Sequence, residues 1–311
     1  MLQLFVFMTI SRRHFLAVPA AVAAAPRPVV VETHIHLFAD DQKRFPYHAN
    51  ATYRPPAQPL DEYVRFARTA GIAHAVIIHP EPYQDDHRYL EHCFANEPSR
   101  GFFKGTCLFD PISPETPARM EALVKKHPGR IVGLRIHATQ DSKLPPTTSG
   151  AIRDRDLRAP ALRTTIRKAH ELGLAIQFHL SPFYAPRVAA LAGEFPGTTM
   201  ILDHLVRAAY GTPAEYEEVL RLARFPKVVM KYSAVQYSTK QAYPFDDAKP
   251  LVRRVWDAFG PERIIWGSLG HTMEDFRKSD ALLDRMFDFA GPADRARIRG
   301  GNAMRLFGFR V

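Results

Sequence analysis

Two histidines stand two residues apart at the end of an apolar run, Val29-Val30-Val31-Glu32-Thr33-His34-Ile35-His36. Side chains alternate faces along a strand, so His34 and His36 project to one side of the same strand end. Paired imidazoles in that position can bind a metal or move a proton, because histidine changes charge near neutral pH. Two more apolar runs end in the same residue, Leu174-Ala175-Ile176-Gln177-Phe178-His179 and Thr199-Met200-Ile201-Leu202-Asp203-His204. Chemistry shared among His34, His36, His179 and His204 requires a fold that gathers strand ends.

The rest of the chain supplies such a fold. Apolar runs recur near residues 29–36, 73–79, 101–109, 131–137, 174–179, 199–204, 227–233 and 263–268. Helical stretches follow them over 60–70, 85–96, 114–127, 160–172, 184–195, 213–223, 247–259 and 273–290, several opening at Pro or Asp and closing near Gly. Continuous apolar strands alternating with amphipathic helices indicate a parallel sheet covered by helices. Eight units favour closure into a single-domain (β/α)8 TIM barrel, expected over 26–311, whose C-terminal strand ends share one face. The connections 39–59 and 138–159 both follow strand C-termini and are expected to overhang that face. No glycine-rich phosphate loop follows the first strand, which argues against dinucleotide binding.

Composition bounds the partners. The 311 residues are 46% hydrophobic and 24% charged, an ordinary globular balance. The net charge of +10 is spread through the helices without a basic block, so nucleic acid is not expected as a partner. The same charge can concentrate an anionic small-molecule substrate at a cleft. Cys93 and Cys107, the two cysteines, lack the spacing of a zinc or redox motif and read as buried thiols. Arg12-Arg13 followed by a short apolar, alanine-rich stretch resembles a twin-arginine signal over 1–25, which implies export to the periplasm. That stretch is too short for stable membrane insertion.

The segments ETHIHLF, GRIVGLRIH, FHLSP, ILDHLVR, FPKVVMKYS, RIIWGS and GGNAMRLFGF together resemble the amidohydrolase superfamily, in the branch called amidohydrolase family 2, from about Val29 to Phe307. Within that branch RFPYHANATYRPP and the Ser181-Pro182 step after His179 look most like the lactonases that open pyrone and sugar lactones. The resemblance implies that His34, His36, His179 and His204 surround the reacting centre and are the ligands of a divalent metal when one is bound. Zinc suits such neutral imidazoles and lowers the pKa of its bound water. Some lactonases of this branch work without metal, their histidines polarising the carbonyl directly, so both routes stay open.

The eighth strand departs from the family. Its members usually carry an Asp after Gly-Ser or Gly-Thr there, serving as general base; this chain reads Trp266-Gly267-Ser268-Leu269-Gly270-His271. Leucine cannot accept a proton, and His271 is the expected substitute. Arg135 and His137 share a face of the fourth strand, where the guanidinium is expected to clamp a substrate carboxylate, with His137 beside it. Asp203 and Glu32 precede site histidines and are expected to face away and support them. His79, Asp110 and Ser233 are expected to cap local turns. The expected activity is hydrolysis of a lactone or similar cyclic ester. A decarboxylase of the same fold and a degenerate barrel that only binds a small acid are the alternatives.

Overall fold

The computed structural model describes residues 28–141 and 143–310, so the segment carrying Arg12 and Arg13 lies outside the described residues. Its strands are β1 (Val30–Ile35), β2 (Ile72–Ile78), β3 (Phe103–Cys107), β4 (Ile131–Ala138), β5 (Ala175–Leu180), β6 (Met200–Leu202), β7 (Val228–Tyr232) and β8 (Ile264–Trp266). They form one parallel sheet in sequential order. β8 meets β1 where Thr33 Oγ1 donates to the Trp266 carbonyl at 2.6 Å and Ser268 N donates to the Glu32 carboxylate at 2.9 Å. The chain is a (β/α)8 barrel.

Helices α1 (Leu60–Ala70), α2 (Arg88–Ala95), α3 (Thr116–Lys126), α4 (Pro160–Glu171), α5 (Ala185–Glu194), α6 (Pro213–Arg221), α7 (Lys249–Phe259) and α8 (Met273–Met286) follow the strands in turn. Each buries one stripe, as Leu60, Tyr63, Phe66 and Ala67 do on α1 and Val252, Val255 and Phe259 on α7. Those stripes share a core with outward strand residues such as Ile77, Leu134, Ile176 and Met230. Two short helices, α9 (Pro292–Ala296) and α10 (Asn302–Phe307), end the chain.

Inside the barrel the side chains are layered. Val31, Val76, Ala175, Ile201, Val229 and Ile265 fill its lower part, packed against Ala303 and Phe307 of α10. Two residues further along β4 to β7 stand Arg135, Gln177, Asp203 and Lys231, all buried. The histidines lie at and beyond this polar layer. An apolar plug below and a polar layer above let the barrel be both a packed core and the floor of a site.

Two backbone irregularities set the histidines. Val31 packs in the barrel interior and Ile35 in the core shared with the helices, although equal parity would put both on one face. The register shift between Glu32 and Ile35 resolves this by a bulge in β1. β6 stops at Leu202, short of the expected 204, because His204, Leu205, Val206 and Arg207 have φ of 50–57°. Four consecutive non-glycine residues in the left-handed region cost roughly 1–2 kcal/mol each, and such strain clusters at functional sites.

Candidate active site

The structure sets five imidazoles in a row across the C-terminal mouth. Ring centroids are 5.1 Å apart for His36 and His34, 4.4 Å for His34 and His204, and 5.2 Å for both His204 with His179 and His179 with His137. The His36 ring nitrogen Nδ1 lies 2.8 Å from the Ile78 carbonyl, which accepts only, so Nδ1 carries the proton and Nε2 keeps its lone pair. His204 Nδ1 is 2.9 Å from Ser233 Oγ. His34 Nδ1, His137 Nε2 and His179 Nε2 are buried without a partner. Burial, reinforced by neighbouring positive charge, holds all five well under the ordinary histidine range, with His204 lowered to about 3. At neutral pH the row is uncharged.

Beneath it lies a fixed charge network. Asp203, expected to face away, points into the barrel. Residue 203 has the parity of interior Ile201, and the left-handed turn at His204 then brings the next side chain to the same centre. The Asp203 carboxylate accepts from Arg135 Nε at 3.2 Å, from Gln177 Nε2 at 3.0 Å and from Lys231 Nζ at 3.2 Å. Burial opposes its charge, but Lys231, His34 and Arg135 overcome that and hold the carboxyl well below the carboxylate range. Lys231 also donates to the Thr33 carbonyl at 3.0 Å. Arg135, expected to clamp substrate, is 3% exposed with its donors turned to Asp203, and its Nη2 is 3.5 Å from His34 Nε2. The geometry is that of a buried ion pair.

Glu32 does support the site from outside it. Its carboxylate accepts from His34 N at 2.9 Å and from both the backbone N and hydroxyl of Ser268, while burial raises its pKa to about 7. A Cβ on Gly267 would stand 2.8 Å from His34 Cβ, so the glycine permits the approach of β8 to β1 that these bonds need. Leu269 has a φ of 58° and lines a cavity of about 380 Å³ with Val235, Tyr243, Phe245 and Leu282. His271 lies 6.1 Å from the Tyr63 ring and its charge bears on His36. Its Nδ1 is buried without a partner, and burial lowers its pKa to about 4 against the pull of Asp275.

The two long connections meet over the mouth, where Arg153 Nη1 donates to Thr52 Oγ1 at 3.3 Å and Tyr53 stands in the field of Arg135. Lys231 and Arg207 carried no expectation from the sequence, and Ser233, expected to cap a local turn, instead sets its hydroxyl 2.9 Å from His204 Nδ1. A lysine inside an apolar strand, two residues before a terminal serine, was the available signal for Lys231. Arg207 sits 3.9 Å from the Tyr210 ring and 5.5 Å from Tyr237, its Nε buried without a partner. His79 and Asp110 do bond locally, His79 Nε2 lying 2.9 Å from the Gln84 carbonyl and Asp110 accepting from Ile112 N at 3.2 Å.

Residues 31–309 match the family described as amidohydrolase. The chain belongs to the amidohydrolase family. It is 26% identical over 289 residues to a 4-sulfomuconolactone hydrolase of Hydrogenophaga intermedia, covering 89% of this chain and 88% of the relative. It is 28% identical over 265 residues to an L-fucono-1,5-lactonase of Burkholderia ambifaria, covering 80% and 84%. The fold matches a crystal structure of a putative 2-pyrone-4,6-dicarboxylic acid hydrolase from Pseudomonas putida with a TM-score of 0.71 at 22% identity, covering 91% and 98%.

Metal is bound in some proteins of this fold, such as a zinc-containing amidohydrolase from Burkholderia multivorans with a TM-score of 0.68, 16% identical over 91% of this chain and 100% of that one. Here His34, Asp203 and His204 each bring one donor atom to within 4.8 Å of the others. These residues do not fit a dication as arranged. Both Asp203 oxygens already accept from Arg135, Gln177 or Lys231, and His34 Nε2 faces the Arg135 guanidinium. A dication ~4 Å from one unit positive charge is disfavoured by roughly 8 kcal/mol at an effective dielectric of ~20, and Asp203 is shared between two cations.

Proposed function

We propose that this amidohydrolase opens a lactone carrying an anionic substituent. The observation that carries the reading is the row of buried neutral imidazoles with unpartnered nitrogens above the Arg135 and Lys231 charges. Neutral imidazoles can donate to a carbonyl oxygen and accept a proton from water without first changing state. The lactone hydrolases among its relatives support the same chemistry.

In this mechanism the lactone carbonyl oxygen accepts from His179 and its neighbours, and water attacks the carbonyl carbon. His271 Nδ1 takes the water proton in place of the carboxylate that Leu269 lacks, with Asp275 favouring the imidazolium. Collapse of the tetrahedral intermediate breaks the ring C–O bond, and His271 returns the proton to the departing alkoxide, giving a hydroxy acid. Arg207, which has no carboxylate partner among the described residues and is stacked on Tyr210 and Tyr237, accepts the anionic substituent. The reading also takes in export, for which retention of precursor in the cell on Arg12→Lys with Arg13→Lys is the check.

The test is a pH-stat screen of anionic and neutral lactones with carbon dioxide release followed in parallel. Acid release from an anionic lactone is expected, with kcat/KM, measured only at pH values where circular dichroism still shows the folded barrel, falling as pH drops toward about 4, where His271 becomes protonated. His271→Ala should remove that limb and lower kcat by about 10²–10⁴-fold. Carbon dioxide release without acid release would establish decarboxylation instead.

A further inference from the structure

The relation between Arg135 and the histidines leads beyond lactone opening. On β4 the guanidinium points into the barrel at the level of Gln177 and Asp203, beneath the imidazole row. Its Nη2 is 3.5 Å from His34 Nε2, and its positive charge bears on His36, His137, His179 and His204 alike. It also engages Asp203, which with His34 and His204 makes the one group of residues compact enough to hold a metal among those described. One side chain therefore does three things that a bound dication would do: it neutralises Asp203, occupies a donor of His34 and sets the potential at the remaining imidazoles.

We propose that Arg135 is the resident cation of this centre, standing in for a divalent metal and excluding one. Lys231 keeps the arrangement in place from the opposite side. It pairs with the other Asp203 oxygen and is anchored to the Thr33 carbonyl, which fixes the carboxylate so that the oxygen held by Arg135 is the one an ion would have to take. Arg135 acts here through its charge and its contacts with Asp203 and His34, as a positioning residue. The consequence for turnover rests on the hydrolase reading above; the exclusion of metal does not.

The test uses cobalt(II), whose visible absorption reports tetrahedral coordination and needs no substrate. The full-length protein, stripped with chelator and titrated with cobalt(II) chloride, is expected to show no tetrahedral bands and to keep its activity in chelator. Arg135→Gln removes the charge while leaving an amide to meet Asp203. It should bind one cobalt ion through His34, Asp203 and His204, at least ~100-fold more tightly than the native protein, since a repelling charge has gone. Arg135→Lys, which restores a cation, should bind as weakly as the native chain and serves as the second variant should the glutamine form fail to fold. A stoichiometric tetrahedral spectrum in the native protein would overturn the proposal. So would a folded Arg135→Gln protein that binds no cobalt, or an Arg135→Lys protein that binds it tightly. Absence of lactone turnover beside the expected cobalt results would refute the substrate class alone.

Discussion

Asp203→Asn tests whether the barrel interior is held by the balance of charges between β4 and β7. The wild-type carboxylate is fully buried and faces Arg135 and Lys231, both buried, at 3.2 Å. Asparagine keeps the shape but leaves two cations with no anion between them. Removing one partner of a buried pair typically costs about 3–5 kcal/mol, because the remaining charge is neither solvated nor paired. At about 2 °C per kcal/mol for a domain of this size, Tm should fall by roughly 6–10 °C. Adding Lys231→Met in the same chain removes one stranded cation, and the double variant should then be less destabilised than the sum of its parts by about 1 kcal/mol or more. Urea melts followed by circular dichroism, on the two single variants and the double, give the coupling directly. A loss under about 1 kcal/mol for Asp203→Asn, or strict additivity in the double variant, would refute the argument that these charges neutralise one another.

Three further outcomes are expected. Acid should destabilise the protein early: His204 at about 3 and His79 and His271 at about 4 are depressed from 6.5. Their stabilisation is present above the unfolded pKa and is lost as pH falls, by about 2 kcal/mol each and about 6 kcal/mol together by pH 5; melts showing flat stability from pH 7 to 4 would contradict this. Gly267→Ala places a methyl 2.8 Å from His34 Cβ, so His34 must move, and kcat/KM should fall about 10²-fold in a chain whose circular dichroism still shows a folded barrel. Arg207→Ala should raise KM for an anionic lactone by roughly 10–100-fold, the loss of one charge-assisted bond, while a neutral lactone of the same ring is unaffected.

The barrel was legible because its signal is local and repeated. Apolar runs of strand length alternating with amphipathic stretches depend on neighbours along the chain, and each of the eight strands and the helices after them overlaps the span that pattern gives, with β6 stopping two residues early. Strand ends converge in any such barrel, so His34, His36, His179 and His204 could be grouped from sequence. What each residue faces was decided by tertiary structure. Simple alternation cannot foresee the bulge in β1 or the left-handed turn at His204, and it was that turn, with the interior parity of residue 203, that carried Asp203 from an expected supporting position into the charge network. Nor can a sequence show that the Arg135 guanidinium is already engaged, because its partners Asp203 and His34 lie 68 and 101 residues away along the chain. Periodicity along a strand depends on backbone geometry alone, whereas the pairing of buried charges depends on which side chains from different strands enter the same low-dielectric layer.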